Sequence, residues 1–448
     1  MTKRSLNVPT VKLPCMAAFL LVAAPAFAQY GGPAILSRGE APSAMNTPQI
    51  DFVPFLSLIG VYTNGLQGVS VNSEGQLPSV DSKGVELDFG ISGVHSWKHT
   101  KISLNYWGAA REYSPASYYS GVDQALNLGI TEQFSRHVSL QLNESAGMYT
   151  LSYGLPSLSA TIPFDPSTTY TPTTDFFDNR TIYTTTQALL TYQRTARLSF
   201  SFGGDGDLTR RRSTALYGVS GADARADLQY RISRRSTVGA NYMYTHFSYI
   251  GLLGNSDLHR FSLTYAAQLS RTWEFTGFGG VTRAESEFPE AVPVSPVITA
   301  LLGITQGYVV TYSLNYVPSY TGRLSKTFPK GVAFITGGHT VTPGNGLFLT
   351  SRAYTALAGY SYTGIRRWGF NLSAGYDRAT SIGNILGNYG DMSAGLQTSR
   401  QISHVLHMVG GVTARKYQSG SYAGYNRLIW DARVGLSFSP RDIPLRIW

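Results

Sequence analysis

Residues 222–246 show the pattern of apolar and polar positions that recurs along most of this chain. From Ala222 to Ile232, apolar residues alternate without a break with polar residues, most of which are charged. A period of two places the two sets on opposite faces of a β-strand. A polar turn over residues 233–236 follows, and the chain then returns through a second alternating run. Each run has about 10 residues, the length that a tilted strand needs to cross a bilayer. The stretch therefore predicts one hairpin of a transmembrane β-barrel.

Similar alternation predicts further strands from a first one at residues 52–62 to a last one at residues 428–438. Two kinds of connection separate them. The short kind is rich in Ser, Arg and Lys, and the long kind is polar and variable, as at residues 153–180 and 286–307. Short turns at one end and long loops at the other are typical of outer-membrane barrels. The short turns are predicted at residues 97–99, 135–137, 194–197, 233–235, 270–271, 325–326, 366–367 and 399–400.

Eight short turns, with both termini at the same end, predict the strand number. We expect an all-β, transmembrane, antiparallel up-and-down β-barrel of about 18 strands, with 16 as the alternative. The long loops are expected to be extracellular and the short turns periplasmic. A soluble β-sandwich or propeller would also alternate, but its strands average about half this length.

Aromatic residues are expected to form a girdle at each membrane interface, because their rings suit the boundary between lipid and water. A soluble sheet protein has no reason for two such belts. The short-turn girdle is predicted from Trp97, Phe134, Tyr192, Tyr230, Trp273, Phe328, Trp368 and Phe438, and the long-loop girdle from Tyr113, Tyr149, Tyr183, Phe247, Tyr249, Tyr308, Tyr376, Tyr417 and Tyr425.

The first 28 residues have the features of a secretory signal. A basic leader precedes a short apolar run, and Ala26-Phe27-Ala28 fits the cleavage rule. Residues 29–50 are rich in Gly, Pro, Ala and Ser and predict a flexible periplasmic lead-in, followed by the barrel at residues 51–448. Cys15 is the only cysteine, so the mature chain is expected to lack disulfides and thiol chemistry. Cleavage removes three basic residues, which lowers the formal charge from +10 to +7.

The sequence has no HExxH, GxSxG or Walker motif. His95 and His99 flank a predicted turn, and His404 and His407 would point to opposite faces of a strand, so neither pair predicts a metal site. We therefore expect no enzyme, no cofactor and no nucleic-acid partner. A barrel enzyme stays a third alternative, because catalytic residues can come from several strands.

The predicted inward face carries the remaining chemistry, since a polar interior is typical of channels. The charges there either select solutes in a pore or form a ladder of ion pairs that fills the interior. Five acidic residues are predicted to face inward without being assigned to the channel lining: Glu86, Asp88, Asp205, Asp207 and Asp377. The residues predicted to line a channel are Asp223, Arg225, Asp227, Arg231, Arg260, Arg427, Asp431 and Arg433.

Over essentially all of its predicted mature length the pattern resembles Gram-negative outer-membrane porin-like barrels. It is most similar in style to the β-barrel porins associated with exopolysaccharide export. Such barrels usually end at an aromatic residue that serves as an assembly signal. Gly435-Leu436-Ser437-Phe438 resembles that signal, although ten residues follow it, and Ile447-Trp448 could supply it instead.

The resemblance implies a location and a function. We expect an outer-membrane channel that passes small hydrophilic solutes or exported polysaccharide through a charged lumen. Its expected partners are the outer-membrane lipid and the barrel-assembly machinery. The alternative is a structural or adhesive surface barrel whose extracellular loops bind a ligand.

Overall fold

The computed structural model describes residues 50–67, 79–115, 120–149, 180–212, 216–251, 254–295, 303, 305–344, 349–382, 388–419 and 428–439. The predicted signal peptide, nearly all of the lead-in and residues 153–179 lie outside these ranges. The described residues form 18 strands: β1 Ile50–Gln67, β2 Ser79–Ser96, β3 Thr100–Ser114, β4 Gly121–Gln133, β5 Val138–Tyr149, β6 Thr181–Gln193, β7 Leu198–Arg211, β8 Gly218–Arg231, β9 Ser236–Ile250, β10 Asn255–Gln268, β11 Trp273–Pro293, β12 Gln306–Phe328, β13 Gly331–Thr342, β14 Ser351–Tyr362, β15 Trp368–Ser381, β16 Asn388–Gln401, β17 Leu406–Ser419 and β18 Leu428–Phe438.

All strands belong to one sheet that closes on itself. Each strand pairs antiparallel with its sequence neighbours, and β1 also pairs with β18 from Leu56 opposite Phe438 to Asn64 opposite Trp430. Closure removes the free edges that an open sheet would expose. The predicted fold class and the predicted number of 18 strands are therefore confirmed.

The eight connections at one end of the barrel have two to five residues each. In five of them a Ser or Thr near the start of the turn accepts backbone N–H groups: Ser135, Thr195, Ser233, Ser270 and Ser403. The Ser135 hydroxyl accepts the N–H groups of His137 and Val138 at 3.2 and 3.1 Å, and Ser270 accepts those of Thr272 and Trp273 at 3.2 and 3.1 Å. A hydroxyl of this kind stabilises a tight turn by satisfying backbone donors.

Two of the predicted short turns are misplaced. Residues 325–326 lie in β12 and residues 399–400 lie in β16, and the chain turns at residues 329–330 and 402–405 instead. In both cases the polar residues continue the strand. The serines face the polar interior, whereas Lys326 and Arg400 face outward and lie over the rings of Trp273 and Trp368 at 4.8 and 5.3 Å.

The predicted long loop over residues 286–307 is shorter than expected and comprises residues 294–305. The strand β11 extends to Pro293 and β12 begins at Gln306, so this hairpin projects beyond its neighbours. The ladder between β12 and β13 ends where Tyr320 lies opposite His339. Pro318 follows on the unpaired side, and a proline cannot donate a ladder hydrogen bond. Connections at this end are also not all long, since four residues join β9 to β10.

The two faces of the wall differ as the alternation predicts. Outward apolar side chains are exposed, among them Leu228 at 42% and Leu263 at 62%, whereas alternate Ser, Thr, Asn and Asp side chains point inward and are buried. No helix in the described ranges is long and apolar enough to cross a membrane. An apolar exterior around a polar interior indicates a barrel that stands in lipid.

The predicted long-loop girdle is partly wrong. Tyr113, Phe247 and Tyr249 are buried on the inner face, and Tyr183 also faces inward because its neighbour Ile182 is outward and exposed. Tyr308 is outward and exposed as expected. The side chains of Tyr149, Tyr417 and Tyr425 lie outside the described part. Periodicity predicts that an aromatic residue lies near an end, but its face depends on the register.

The outward positions of β8 and β10 give a first testable prediction. Leu228→Arg and Leu263→Arg should each lower the free energy of unfolding by about 2–4 kcal/mol, the cost of a basic residue near the bilayer midplane. Refolding titrations from urea into lipid vesicles measure this. Ile232→Arg, in the turn after β8, is the control and should cost at most about 1 kcal/mol. Wild-type stability in both leucine variants would refute the face assignment.

Candidate functional site: the charged lumen

The polar face of each strand lines the inside of the barrel. Leu228 and Tyr230 of β8 point outward, so the charged residues that alternate with them point inward. Arg225 and Arg231 are each only 8% exposed, so neighbours on the wall cover them. Arg427 lies outside the described residues. The other residues predicted to line the channel all occupy inward positions: Asp223, Arg225, Asp227 and Arg231 on β8, Arg260 on β10, and Asp431 and Arg433 on β18.

The first group of inward charges, the β7–β10 cluster, comprises Asp205, Asp207, Asp223, Arg225, Asp227 and Arg260. Arg225 Nη1 lies 3.8 Å from Asp205 Oδ2, and Asp205 lies opposite Asp223 in the ladder. Asn241 donates to Asp227 Oδ1 at 2.7 Å. Carboxylates therefore outnumber guanidinium groups in this cluster.

Arg260 closes the β7–β10 cluster on the side of β10. Its Nη2 donates to Met243 Sδ at 3.0 Å, and its guanidinium group lies 4.9 Å above the ring of Phe278. Arg231 differs from these residues, because its Nε donates to the carbonyl of Ser233 in the adjacent turn at 3.2 Å. The predicted set on β8 thus divides into a mid-wall group and one arginine at the turn.

Glycines on the inner face let long side chains lie flat against the wall. A Cβ built at Gly203 would approach Arg225 Nε to 2.8 Å, and one at Gly221 would collide with Asp207 Oδ1. In the ladder between β7 and β8, Gly203 lies directly opposite Arg225, and Gly221 lies directly opposite Asp207. A glycine in a strand often marks such a close approach.

The second group, the seam cluster, comprises Glu86, Asp88, Arg111, Asp123, Asp431 and Arg433. Its centre is Glu86, which is 1% exposed. Arg111 Nε and Arg433 Nη1 lie 3.2 and 3.0 Å from the two oxygens of this carboxylate. The hydroxyl of Tyr113 donates to it at 2.6 Å.

The outer members of the seam cluster extend it along the wall. Arg433 Nε donates to Asp431 Oδ2 at 2.9 Å, and Arg111 Nη1 lies 2.5 Å from Asp123 Oδ2. Because Arg433 is on β18 and Glu86 is on β2, their ion pair crosses β1. The cluster therefore joins the last strand to the second one where the sheet closes.

The third group, the β15–β17 cluster, comprises Asp377, Asp391 and Arg415. Arg415 Nε lies 2.6 Å from Asp391 Oδ2, and Asp377 lies directly opposite Asp391 in the ladder. Thr413 of the same strand as Arg415 donates to Asp431. This contact connects the third cluster to the seam cluster.

Sequence reasoning missed several members of these clusters. Arg111 and Asp123 were not predicted to face inward, nor were Asp391 and Arg415. The signal for Arg111 was present, because it continues the inward series of Asn105 and Trp107. The signal for Asp391 was present as well, because Asp391, Ser393 and Gln397 alternate with Met392, Ala394 and Leu396.

A segment between β13 and β14 lies inside the long-loop end of the barrel. The Tyr249 hydroxyl lies 2.7 Å from Thr350 Oγ1 and donates to the carbonyl of Pro343 at 3.3 Å. Ser256 Oγ also lies 2.6 Å from Thr350 Oγ1. Since β11 and β12 separate β10 from β13, this segment reaches inward across two strands.

Apolar packing holds the same segment, which we name the inward segment (Pro343, Gly344, Leu349 and Thr350). Leu349 belongs to a buried cluster that excludes water from this part of the lumen. Its other members are Val219, Phe247, Tyr249, Leu258, Ala284 and Phe288. The inward segment therefore narrows one end of the lumen on the side of β8–β11.

The balance of charge is acidic. Ten carboxylates and five guanidinium groups make up the three clusters. With Lys101, Arg211, Arg231, Arg323 and Glu274 on the same face, the inner side chains that the structure describes have a formal balance of two negative charges. Within the described ranges, no group of three or more His, Cys, Asp or Glu side chains is placed to hold a metal ion. The site is thus a charged wall rather than a compact reaction centre.

The comparisons with known proteins give structural neighbours alone. No protein-family model matches the chain, and no curated protein matches it. The chain is similar to the structures of Pseudomonas aeruginosa OccK5 (OpdH), at 14% identity with a TM-score of 0.39, and of a BenF-like porin from Pseudomonas fluorescens Pf-5, at 8% identity with a TM-score of 0.39. Each match covers 87% of this chain and 98% of the other. A third is OccK2 (OpdF) in complex with glucuronate, at 10% identity over the same shares with a TM-score of 0.39.

The class of the protein follows from its own strand pairing and faces. A closed barrel of 18 antiparallel strands, apolar outside and charged inside, is the architecture of porin-like barrels of the outer membrane, and this chain is such a barrel. The expected resemblance to porin-like barrels, the fold class and the outer-membrane location are therefore confirmed. Which end faces the cell exterior stays a prediction.

The seam cluster gives a second prediction. Glu86→Ala removes the shared partner of Arg111 and Arg433, which leaves each cation with one carboxylate, Asp123 or Asp431, and without the charge that separates the two. Breaking a buried ion pair from one side costs about 3–5 kcal/mol, and the midpoint of urea unfolding should fall accordingly.

Glu285→Ala is the matched control for this measurement. Glu285 pairs with Arg283 on the outer face, where both side chains are partly exposed, and an exposed pair contributes at most about 1 kcal/mol. Equal losses in the two variants would contradict a special role for the closing seam.

Proposed function

We propose that the barrel is a diffusion channel for small hydrophilic solutes and that its charged wall selects among them. The observation that supports this is the set of three inward clusters, whose carboxylates outnumber their guanidinium groups two to one. A wall with an excess of one sign attracts counter-ions and raises their local concentration. The channel should therefore prefer cations and cationic solutes.

The inward segment supports the same proposal. A barrel of 18 strands encloses a lumen wide enough for water unless loops close it. Hydrogen bonds from Tyr249 and Ser256 hold the segment against the wall, so it narrows the opening at a fixed place. A narrow opening brings a permeating solute close to the β7–β10 cluster, where screening by salt is weaker.

The alternative is that the same residues form a structural brace, that is, a set of ion pairs that stabilises the barrel without selecting solutes. Every arginine of the three clusters has a partner on the wall, which would also fit an interior that only stabilises the barrel. A steady open conductance in a planar bilayer favours the channel, and a closed lumen favours the structural or adhesive surface barrel. Passage of exported polysaccharide stays a prediction from the resemblance, because the charges on the wall do not distinguish a polysaccharide from another hydrated solute.

Selectivity tests the role of β8 in the channel. Arg225→Glu together with Arg231→Glu changes two positive charges into two negative ones, a difference of four charges. The reversal potential in asymmetric KCl should move toward cation selectivity. The shift should shrink as the salt concentration rises, because screening shortens the range of the field.

The control places the same change on the outer face. Arg352→Glu with Arg378→Glu alters outward residues of β14 and β15 and should leave the reversal potential unchanged. A folded, conducting Arg225→Glu/Arg231→Glu variant with the wild-type reversal potential would remove these residues from the selectivity site. Lower stability without altered selectivity would indicate the brace.

The inward segment gives a separate prediction. Tyr249→Phe removes the hydroxyl that contacts Thr350 and Pro343 while keeping the ring in the apolar cluster. Single-channel conductance should rise or fluctuate more, because the segment loses two hydrogen bonds. Tyr312→Phe removes an outward hydroxyl that donates to Glu285 and should conduct like wild type. Identical conductance traces for both variants would exclude the segment as the narrow point.

A further inference from the structure

A groove runs along the outer surface of the barrel over β8–β11. Its volume is about 560 Å³, within the range of about 300–1,000 Å³ that is usual for small-molecule sites. Small outward residues form its low points: Gly277 and Gly279 on β11, and Ala240 on β9. Leu263 on β10 lies opposite both Ala240 and Gly279 and stands between them, and Tyr230 stands at one side. The groove therefore exists because small residues alternate with large ones on adjacent strands.

The groove lies in the apolar band of the wall. Leu228 and Leu263, which line it, are outward and exposed. A depression at this level meets hydrocarbon chains rather than water. Its lining is mostly apolar and therefore fits an acyl chain better than a hydrated ligand.

Two basic turns stand at one end of the groove. Tyr230 lines the groove and lies two residues before the turn over residues 232–235, which carries Arg234 and Arg235. The next turn along the rim, over residues 269–272, carries Arg271. The N–H of Gln268 donates to the carbonyl of Arg235 at 2.8 Å and ties the two turns together. Two residues of a strand span about 7 Å, so three exposed cations stand close to the groove.

We propose that this groove binds one anionic phospholipid. An acyl chain lies along Gly277 and Gly279 of β11, beside Leu263, and the phosphate interacts with Arg234, Arg235 and Arg271. Charge complementarity favours a lipid over a second copy of this chain, because a symmetric contact would bring two sets of three arginines together. The proposal does not depend on whether the lumen conducts.

Native mass spectrometry of the purified, folded barrel tests the proposal, with phosphatidylglycerol and phosphatidylcholine of identical chains as probes. We expect one phosphatidylglycerol to be retained in preference to phosphatidylcholine. Arg→Gln at 234, 235 and 271 should each reduce that preference about fivefold, the contribution of one basic residue near an anionic surface.

A second variant fills the groove without touching the charges. A Cβ at Gly279 would meet no atom within 4 Å, so Gly279→Leu can fold while its side chain occupies this low point. Retention of phosphatidylglycerol should be lost. The matched control is Gly206→Leu on the outer face of β7, where a Cβ also meets nothing within 4 Å; it should retain the lipid.

The charge variants have a control of the same kind. Lys330, Arg366 and Arg367 occupy two adjacent short turns away from the groove. Replacing all three by Gln should leave phosphatidylglycerol retention at the groove unchanged. The control therefore separates a local site from a general attraction to a basic rim.

Several results would overturn the proposal. These are equal retention of the two lipids, full retention in Gly279→Leu, undiminished preference in the arginine variants, or an equal loss in the Lys330/Arg366/Arg367 control. A dimer that carries no lipid and that Gly279→Leu dissociates would assign the groove to a second copy instead. Each variant is first checked for heat-modifiable migration, so that only folded barrels are compared.

Discussion

Backbone hydrogen bonding without water is the constraint on which the rest of this structure depends. A strand in hydrocarbon must find a partner on both sides, since an unsatisfied N–H or C=O there costs several kcal/mol. The chain meets this requirement by pairing its last strand with its first. The closing ladder from Leu56 to Asn64 is short compared with the one between β11 and β12. Side chains supplement it at the same place.

Those side chains act on both faces of the wall. Inside, Arg433 reaches across β1 to Glu86, and the hydroxyls of Ser57 and Ser437 lie 2.6 Å apart. Outside, the rings of Tyr62 and Trp430 lie 5.2 Å apart. Because Glu86 is on β2, its ion pair with β18 links three consecutive strands of the closed sheet. The seam cluster thus has a structural role even where its residues also face the lumen.

The inner wall has to accommodate charge without filling the lumen. Buried charges need partners, and here they find them on adjacent strands, so the ion pairs run along the wall. Glycines such as Gly203 leave room for Arg225 to lie flat. The excess of carboxylates is what remains after this pairing, and it is the feature that a permeating solute would meet. The inward segment adds a narrow place at one end through hydrogen bonds to Tyr249 and Ser256.

The alternation of residues by itself determined the fold class and the face of nearly every strand, and the number of short turns determined the strand number. This succeeds because lipid outside and water inside impose a period of two on each crossing. It also placed Asp223, Arg225 and Asp227 inside, since Leu228 and Tyr230 had to be outside. The ends of strands were less predictable, because Ser suits both a turn and the inner wall, and Lys326 and Arg400 can lie over outward tryptophan rings as well as in a turn.

Only the tertiary structure decided which inward residues meet. Glu86 and Arg433 are separated by 347 positions, and no local pattern reports a contact that depends on sheet closure. The same holds for Tyr249, whose ring suggested a membrane interface but whose strand register turns it inward onto Thr350. A period of two fixes a face relative to neighbouring residues; partners across strands depend on register and closure, which the whole barrel sets together.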